Sequence, residues 1–280
     1  MSWSRRSLIR KLMNHVPTID YIMEDPREAA RLEAKVDPHS WVQKYLASRV
    51  RQGAEVLSVG CGPGVILHEV SELYPSIRAT GIDISSDRVQ EAVQRNRRNP
   101  RLKFVRGDAQ AIQFPSNSFD LVYSRMLLQY LREKEKAVAE MARVCKPGGI
   151  VLLQDLDGQL LWHYPEDPVV QHAVQRVVTA LAPTGFDPFV GRKLFWLAQQ
   201  AGLQKLEVQI ESYHLIAGAI EPHTLKQWEL KLDIAKSQMA KALGSEAAAE
   251  EEIHRFLEYL SRPDTLTYSV QFTVTGEKVP

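Results

Sequence analysis

Five short apolar runs alternate with amphipathic segments between residues 55 and 157, and this alternation constrains the fold more than any other feature. The runs read EVLSVG, IRATGIDIS, RLKFVRGDA, FDLVYSRM and GIVLLQDLD, and they are too short to be independent helices. Helical spacing marks most of the segments between them. A strand and a helix recurring every 20 to 30 residues or so predict a parallel sheet with helices on both faces and right-handed crossovers.

Two more strands follow after this rhythm changes. LQKLEVQIESYHL predicts a sixth strand, and the period-two alternation of TYSVQFTVTG predicts a seventh. The charged, alanine-rich stretch between them is helical and longer than a plain connection requires. We therefore expect a helical cap, residues 216–263, inserted between strands six and seven of a core formed by residues 51–215 and 264–280.

Composition excludes several classes of function. The 280 residues carry a formal net charge of +1, which gives no surplus of basic side chains for neutralising nucleic-acid phosphates. Only two cysteines occur, Cys61 and Cys145, without disulfide or metal-ligand spacing, so we predict no metal site and a cytoplasmic location. No apolar run reaches the roughly eighteen residues needed for a membrane span.

A glycine-rich turn, VLSVGCGPG, follows the first strand. Gly60, Gly62 and Gly64 allow the backbone to turn sharply and to approach a ligand closely. Asp83 ends the second strand and Asp108 the third, and the carboxyl ends of parallel strands meet at the ligand-binding edge of such a sheet. Together the three features predict an adenosine-containing ligand, although Asp83 alone fits a helix N-terminus and Asp108 alone an Asx-turn.

The spacing of the glycines separates two kinds of adenosine ligand. Dinucleotide-binding turns read G-x-G-x-x-G, whereas here the pattern is G-x-G-x-G with Val65 at the position of the third fingerprint glycine. A nicotinamide-dependent oxidoreductase is therefore the less favoured alternative. Tyr130 and Lys134 have the Y-x-x-x-K spacing of short-chain dehydrogenases, but without that family's glycine pattern they are interpreted as exposed helix residues.

Four motifs, in this order and at these intervals, resemble class I S-adenosylmethionine-dependent methyltransferases: VLSVGCGPG, GIDIS, VRGDAQAIQFPSNSFDLVYSRMLLQYL and RVCKPGG. The similarity is greatest to the small-molecule methyltransferases of ubiquinone and menaquinone biosynthesis and covers about residues 25–212. It implies a Rossmann-like, mostly parallel sheet of seven strands whose last strand is antiparallel. It also implies an N-terminal helical lid, residues 1–50.

The resemblance assigns S-adenosylmethionine as cofactor and gives roles to individual residues. Gly60, Gly62 and Gly64 lie beside its methionine and ribose portions, and Asp83 holds the ribose hydroxyls. The other implied contacts are Ile84 on one adenine face, Asp108 and Ala109 at the adenine edge, Ser124 and Arg125 near the methionine moiety or the acceptor, and Tyr21 in the lid.

The chemistry implied is in-line transfer of a methyl group to a small-molecule methyl acceptor. Aromatic residues after the fifth strand and in the cap make a flat or lipophilic acceptor plausible. His163, expected just after the fifth strand, is the candidate general base, with His214 as a weaker one; Gln129 stands where many relatives carry histidine and cannot act as a base.

Three alternatives stay open at this point. The chain is an enzyme of this class, a nicotinamide oxidoreductase, or a non-catalytic S-adenosylmethionine-binding module.

The amphipathic stretch from Leu225 to Leu260 is either a cap or the surface of a homodimer. A nucleic-acid acceptor is disfavoured, because the fourth strand ends in YSRM, without the Asn/Asp-Pro-Pro-Tyr element that grips a base amine.

Overall fold

A computed structural model describes residues 23, 25, 27 and 36–279 of the chain. Seven strands form one sheet in the order β3-β2-β1-β4-β5-β7-β6. The strands are β1 (Glu55–Val59), β2 (Arg78–Asp83), β3 (Leu102–Arg106), β4 (Phe119–Arg125), β5 (Cys145–Tyr164), β6 (Leu203–Ala217) and β7 (Leu266–Lys278).

The first five strands are parallel, and β7 runs antiparallel between β5 and β6. The predicted seven-stranded, mostly parallel sheet with an antiparallel last strand is therefore confirmed. The chain reverses its direction of travel across the sheet between β1 and β4. This is the topological switch point, where open α/β sheets bind ligands.

Helices cover both faces of the sheet, as the alternating pattern predicts. They are α1 (Pro38–Tyr45), α2 (Val65–Leu73), α3 (Ser86–Arg95), α4 (Lys134–Val144), α5 (Pro168–Leu181), α6 (Leu194–Gln200), α7 (Pro222–Leu243) and α8 (Glu246–Leu260). Successive residues of a strand point to opposite faces, so Leu57 packs in the core beneath α4 and α6, whereas Val56 packs with α1 and α2.

The predicted helical insertion between strands six and seven is confirmed as α7 and α8. The two helices are separated at Gly244, whose φ of 93° ends α7, and Ser245 caps α8. Their apolar side chains pack with α5 around Leu181, Ile234 and Met239. From here on the cap means α5, α7 and α8 together, a larger set than the predicted insertion, residues 216–263. The inward packing of these helices accounts for the amphipathic pattern that suggested a homodimer surface.

Two elements differ from the sequence-based prediction. Tyr130, interpreted above as a helix residue, lies in a short 3-10 turn over Leu128–Tyr130, and the helix itself begins at Lys134. The fifth strand, expected to end at Asp157, continues to Tyr164 and pairs with β7 on both sides of an irregularity. Gly158, Gln159 and Leu160 all have positive φ there, and we call these three residues the β5 bulge.

Within the part of the chain that the structure describes, no helix is both long and apolar enough to cross a membrane.

Candidate active site

A cavity of about 400 Å3 opens at the carboxyl ends of β1, β2 and β4. It lies at the topological switch point, because the loops that follow these three strands converge there. Seven of the predicted cofactor-binding residues line it: Gly60, Gly62, Asp83, Ile84, Asp108, Ala109 and Arg125. The sheet thus brings together side chains from four separate loops.

The glycine turn after β1 is possible only for residues that tolerate the left-handed region. Gly60, Gly62 and Gly64 have φ of 72°, 54° and 78°. A Cβ at Gly60 would come within 2.9 Å of the Leu127 side chain, so the turn is also closely packed. Gly64 does not line the cavity: it is the N-cap of α2, and a Cβ there would meet the Phe104 ring at 2.8 Å.

Asp83 joins the first two loops. Its Oδ2 accepts a hydrogen bond from the Gly62 amide at 2.8 Å, and its Oδ1 accepts one from the Ser85 amide at 3.0 Å. The side chain is buried. Ser85 separately caps α3, and the Asp83 side chain also lines the cavity. The residue therefore serves both the loop structure and the cavity.

Asp108 forms the Asx-turn that its sequence context suggests. Its Oδ1 accepts the Gln110 amide at 2.8 Å, and both Asp108 and the neighbouring Ala109 line the cavity. Asx-turn and cavity wall are thus the same structure. The turn holds this loop at the edge of the cavity next to Ile84.

Ser124 and Arg125 end β4 but differ in their placement. Arg125 lines the cavity, whereas the fully buried Ser124 does not. The Arg125 Nε and the Ser124 Oγ are buried atoms without a hydrogen-bond partner among the described residues. Because an unpaired buried donor costs free energy, the Arg125 guanidinium fits a site that binds an anionic ligand group.

The structure separates the two candidate histidines. His163 lies within β5 rather than after it and pairs with Thr267 of β7, and its ring is tilted at 56° to the ring of Tyr259 with 4.7 Å between their centres. Burial lowers its pKa. It does not line the cavity, because β5 continues past the point where the sequence predicts its end. His214 does line the cavity, and its Nδ1 lies 2.6 Å from the Ser269 Oγ.

A chain of four polar side chains, three of them buried and the fourth half-buried, crosses the cavity wall, and sequence analysis missed it. Lys231 of α7 donates to Gln159, and Gln159 donates to Gln129. Gln129 in turn donates its side-chain amide to Asp155 at 2.9 Å and its backbone amide to the same carboxyl group at 3.2 Å. Complete burial raises the Asp155 pKa to about 7. We call these four residues the polar chain.

The other residues that sequence analysis missed carry weak signals. Arg88 and Tyr213 line the cavity, but each looks like an ordinary residue of a helix or strand. Tyr130, interpreted as exposed, lines the cavity, and its ring lies 6.0 Å from that of Phe186. Lys134 donates instead to the backbone carbonyl groups of Leu131 and Gly185. Tyr21 lies outside the described residues.

A search of the described residues finds no group of three or more His, Cys, Asp or Glu side chains arranged to hold a metal ion.

The strand order and the helices on both faces define a Rossmann-like domain. A glycine turn, an acidic residue after β2 and an Asx-turn after β3 face one cavity of this sheet, in the arrangement that the resemblance to class I methyltransferases implies. Residues 56–149 match a family model described as a methyltransferase domain. The resemblance to class I S-adenosylmethionine-dependent methyltransferases is confirmed.

Two curated relatives show the same likeness over about half of their length. The chain is 31% identical to a 2-methyl-6-phytyl-1,4-hydroquinone methyltransferase of Synechocystis sp., over 52% of this chain and 47% of the relative. It is 35% identical to a ubiquinone/menaquinone biosynthesis C-methyltransferase of Hahella chejuensis, over 45% of this chain and 50% of the relative.

A solved structure extends the likeness in fold to most of the chain. The phosphoethanolamine N-methyltransferase 2 of Haemonchus contortus, solved with phosphomonomethylethanolamine and S-adenosylhomocysteine, superposes with a TM-score of 0.60. The match covers 94% of this chain and 60% of that one at 16% identity, and at that identity it shows the fold alone.

Proposed function

We propose that this chain binds S-adenosylmethionine in the cavity and transfers the methyl group to a small organic acceptor. One observation carries the proposal: the glycine turn, Asp83 and Arg125 converge on a single cavity of about 400 Å3 in a methyltransferase domain. Cavities of roughly 300–1,000 Å3 hold ligands of this size.

The residues present fit the cofactor chemically. The backbone of Gly60 and Gly62 lines the cavity, and a carboxylate such as Asp83 accepts hydrogen bonds from ribose hydroxyls. The buried Arg125 Nε offers a donor for the methionine carboxylate. Ile84, Asp108 and Ala109 are assigned to the adenine ring, as the resemblance implies.

Ser124, Gly64 and Tyr21 hold weaker places in this proposal. Ser124 and Gly64 act through the shape of the β4 and β1 loops, since neither lines the cavity. Tyr21 as a lid residue, residues 1–50 as a lid and the division into core and cap stay predictions.

When bound, S-adenosylmethionine supplies a methyl group on a positively charged sulfur, ready for in-line displacement by a nucleophile. The chain holds the acceptor in line and excludes water, a proximity effect worth several kcal/mol or roughly 10 kcal/mol at its upper end. An acceptor that must lose a proton also requires a base. Of the described histidines, His214 is the one placed at the cavity, and it supports this role better than His163.

The contact between the His214 Nδ1 and the Ser269 Oγ holds the ring in a fixed orientation at the cavity. His163, by contrast, has its ring against Tyr259, outside the cavity lining. The role of His163 as base stays a prediction that a direct comparison with His214 tests.

Two finer assignments belong to the same proposal. Cys61 and Cys145 are both free thiols, which supports a reducing, cytoplasmic location. A homodimer through the cap stays a prediction, for which sedimentation of the purified protein is the test.

The first experiment is a calorimetric titration of the purified protein with S-adenosylmethionine, S-adenosylhomocysteine and the nicotinamide dinucleotides. We expect micromolar binding of the first two and none of the dinucleotides. Binding of the dinucleotides alone would instead favour the oxidoreductase. A screen of acceptors with labelled methyl donor then separates an enzyme from a non-catalytic binding module.

A further inference from the structure

A second cavity lies inside the cap. It has a volume of about 120 Å3, and its walls are almost entirely apolar side chains of α5, α7 and α8, among them Val174, Val177, Leu232 and Ala235. Phe186 and Phe256 add aromatic surface. We call it the cap cavity. A space of this kind holds an apolar ligand group more readily than water, which needs polar partners.

The cap cavity adjoins the cavity assigned to the cofactor. Tyr130, Gln159 and Lys231 line both, so the two spaces share one wall. A ligand that fills the cap cavity therefore reaches the edge of the cofactor cavity. Methyl transfer requires this kind of adjacency between the acceptor and the cofactor.

The shared wall carries a positive charge in a fixed position. The Lys231 ammonium group lies 4.3 Å from the centre of the Trp228 ring and donates to Gln159. Gln159 is only 5% exposed. It donates a hydrogen bond to Gln129, which in turn donates one to Asp155, the innermost residue of the polar chain. Both glutamine amides are thereby oriented, with their carbonyl oxygens toward Lys231.

The backbone at this wall is strained, which points to a functional position. Gln159 and Leu160 have φ of 41° and 64°, a region that non-glycine residues rarely adopt. Such strain is concentrated at ligand-binding and catalytic positions. The β5 bulge interrupts the regular strand and places the Gln159 side chain between the two cavities.

Resting on the proposed function, we propose that the cap cavity binds the apolar body of the methyl acceptor and that the Lys231 ammonium group, oriented by its hydrogen bond to Gln159, binds an anionic oxygen on it. A dry apolar cavity of about 150 Å3 holds benzene, so about 120 Å3 suits one six-membered ring or a short branched chain. The acceptor class is therefore a compact, one-ring or short-chain molecule with a carboxylate, phenolate or enolate group.

One acidic residue also lines the cap cavity, and its charge is balanced elsewhere. Glu252 is buried and forms ion pairs with Arg176 at 2.8 Å and Arg255 at 3.5 Å. The Glu252 carboxylate is therefore paired with arginine side chains, whereas Lys231 contacts Gln159 and Trp228 at the shared wall. An anionic ligand group is attracted to the Lys231 side of the cavity.

The test uses two probes that share a ring and differ in charge, 4-ethylbenzoate and 4-ethylbenzamide. Binding of each to the full chain is measured by calorimetry in the presence of S-adenosylhomocysteine. We expect the benzoate to bind about tenfold or more tightly, because a charge-assisted hydrogen bond is stronger than a neutral one. Lys231→Met should abolish this preference, whereas Lys226→Met, at an exposed lysine of the same helix, should keep it.

Location is tested by filling the cap cavity. Val177→Phe should remove binding of both probes, and the matched Val169→Phe, at an exposed valine of α5, should leave it unchanged. Ala235→Leu on α7 is a second filling variant, and a circular-dichroism melt of each variant shows that it is folded.

Equal affinity for acid and amide, or no binding of either to the unaltered chain, overturns the inference. So does undiminished binding in folded Val177→Phe or Ala235→Leu. Failure of the proposed function has a different signature, since S-adenosylhomocysteine would then not bind the unaltered chain even where the benzoate does.

Discussion

The Asp83 carboxylate accepts the Gly62 amide at 2.8 Å, and this bond connects the end of β2 to the turn after β1. The two residues are far apart in sequence but lie at the carboxyl ends of adjacent parallel strands. The same carboxylate faces the cavity. We therefore expect one side chain to affect both the conformation of the turn after β1 and the affinity for the cofactor. Experiments must separate these two effects.

Asp83→Asn keeps the shape of the side chain and removes its charge. We expect the affinity for S-adenosylhomocysteine to fall about tenfold or more, because charge-assisted bonds to hydroxyl groups are lost. Titration calorimetry measures the change. Asp87→Asn, at an exposed residue of the first turn of α3, is the control and should bind normally. Unchanged affinity in folded Asp83→Asn would remove the ribose assignment.

Gly60→Ala tests the close packing of the glycine turn. Gly53 has almost the same φ, 73° against 72°, but a Cβ there meets nothing within 4 Å. Each alanine should cost about 1–2 kcal/mol of unfolding free energy for the left-handed backbone. Gly60→Ala should cost about 1–3 kcal/mol more, since its Cβ overlaps Leu127. Urea denaturation of both variants measures the difference, and equal losses would contradict the packing argument.

His214→Gln and His163→Gln decide which histidine is the base. With the first acceptor found in the methyl-transfer screen, we expect His214→Gln to lower turnover by about 100-fold or more and to flatten the rise of the rate with pH. His163→Gln should keep most of the turnover, because its ring lies against Tyr259. Initial rates from pH 5 to 9 or so are the measurement. The reverse result would restore the sequence-based prediction.

Asp155→Asn should change how stability depends on pH. Burial raises the Asp155 pKa to about 7 in the folded protein, above its ordinary value of 3.8, so between these values the folded state holds a proton that the unfolded state lacks. This group's contribution is complete below pH 3.8 and is lost as pH rises to about 7. The slope is at most about 1.4 kcal/mol per pH unit.

The difference between the unfolding free energies of the unaltered chain and Asp155→Asn isolates this contribution. Urea denaturation at several values between about pH 4 and 8 gives the curve. We expect the advantage of the unaltered chain to shrink as pH rises. A difference that is constant across the range would show that the carboxyl group titrates normally in the fold.

Much of the fold follows from local patterns. Short apolar runs such as the one ending at Gly60 report buried strands, and period-two alternation reports β7. The positions of Asp83 and Asp108 at strand ends follow from the same patterns, because parallel strands place their carboxyl ends together. The seven predicted residues that line the cavity belong to this local, periodic half of the chain.

The rest depends on tertiary structure. The sequence of residues 158–160, GQL, does not predict the positive φ of Gln159 and Leu160. Only Gly158 indicates an irregular strand. The sequence pattern therefore predicts the end of β5 too early and places His163 in a loop at the opening of the cavity, whereas the strand continues to Tyr164. Lys231 reads as one more charged residue of a cap helix, and only packing of α7 against the bulge reveals its position.

The strand order has a consequence for how the molecule assembles. β6 is hydrogen-bonded to the sheet through β7, although it precedes β7 in the chain. Leu153 pairs with Val274 about 120 residues later, and such distant pairing makes folding slow. Until β7 docks, β6 has no partner strand and the edge of β5 is open. We expect this interval to be when the chain is most prone to aggregate, so a slow final step on refolding should coincide with β7 joining β5.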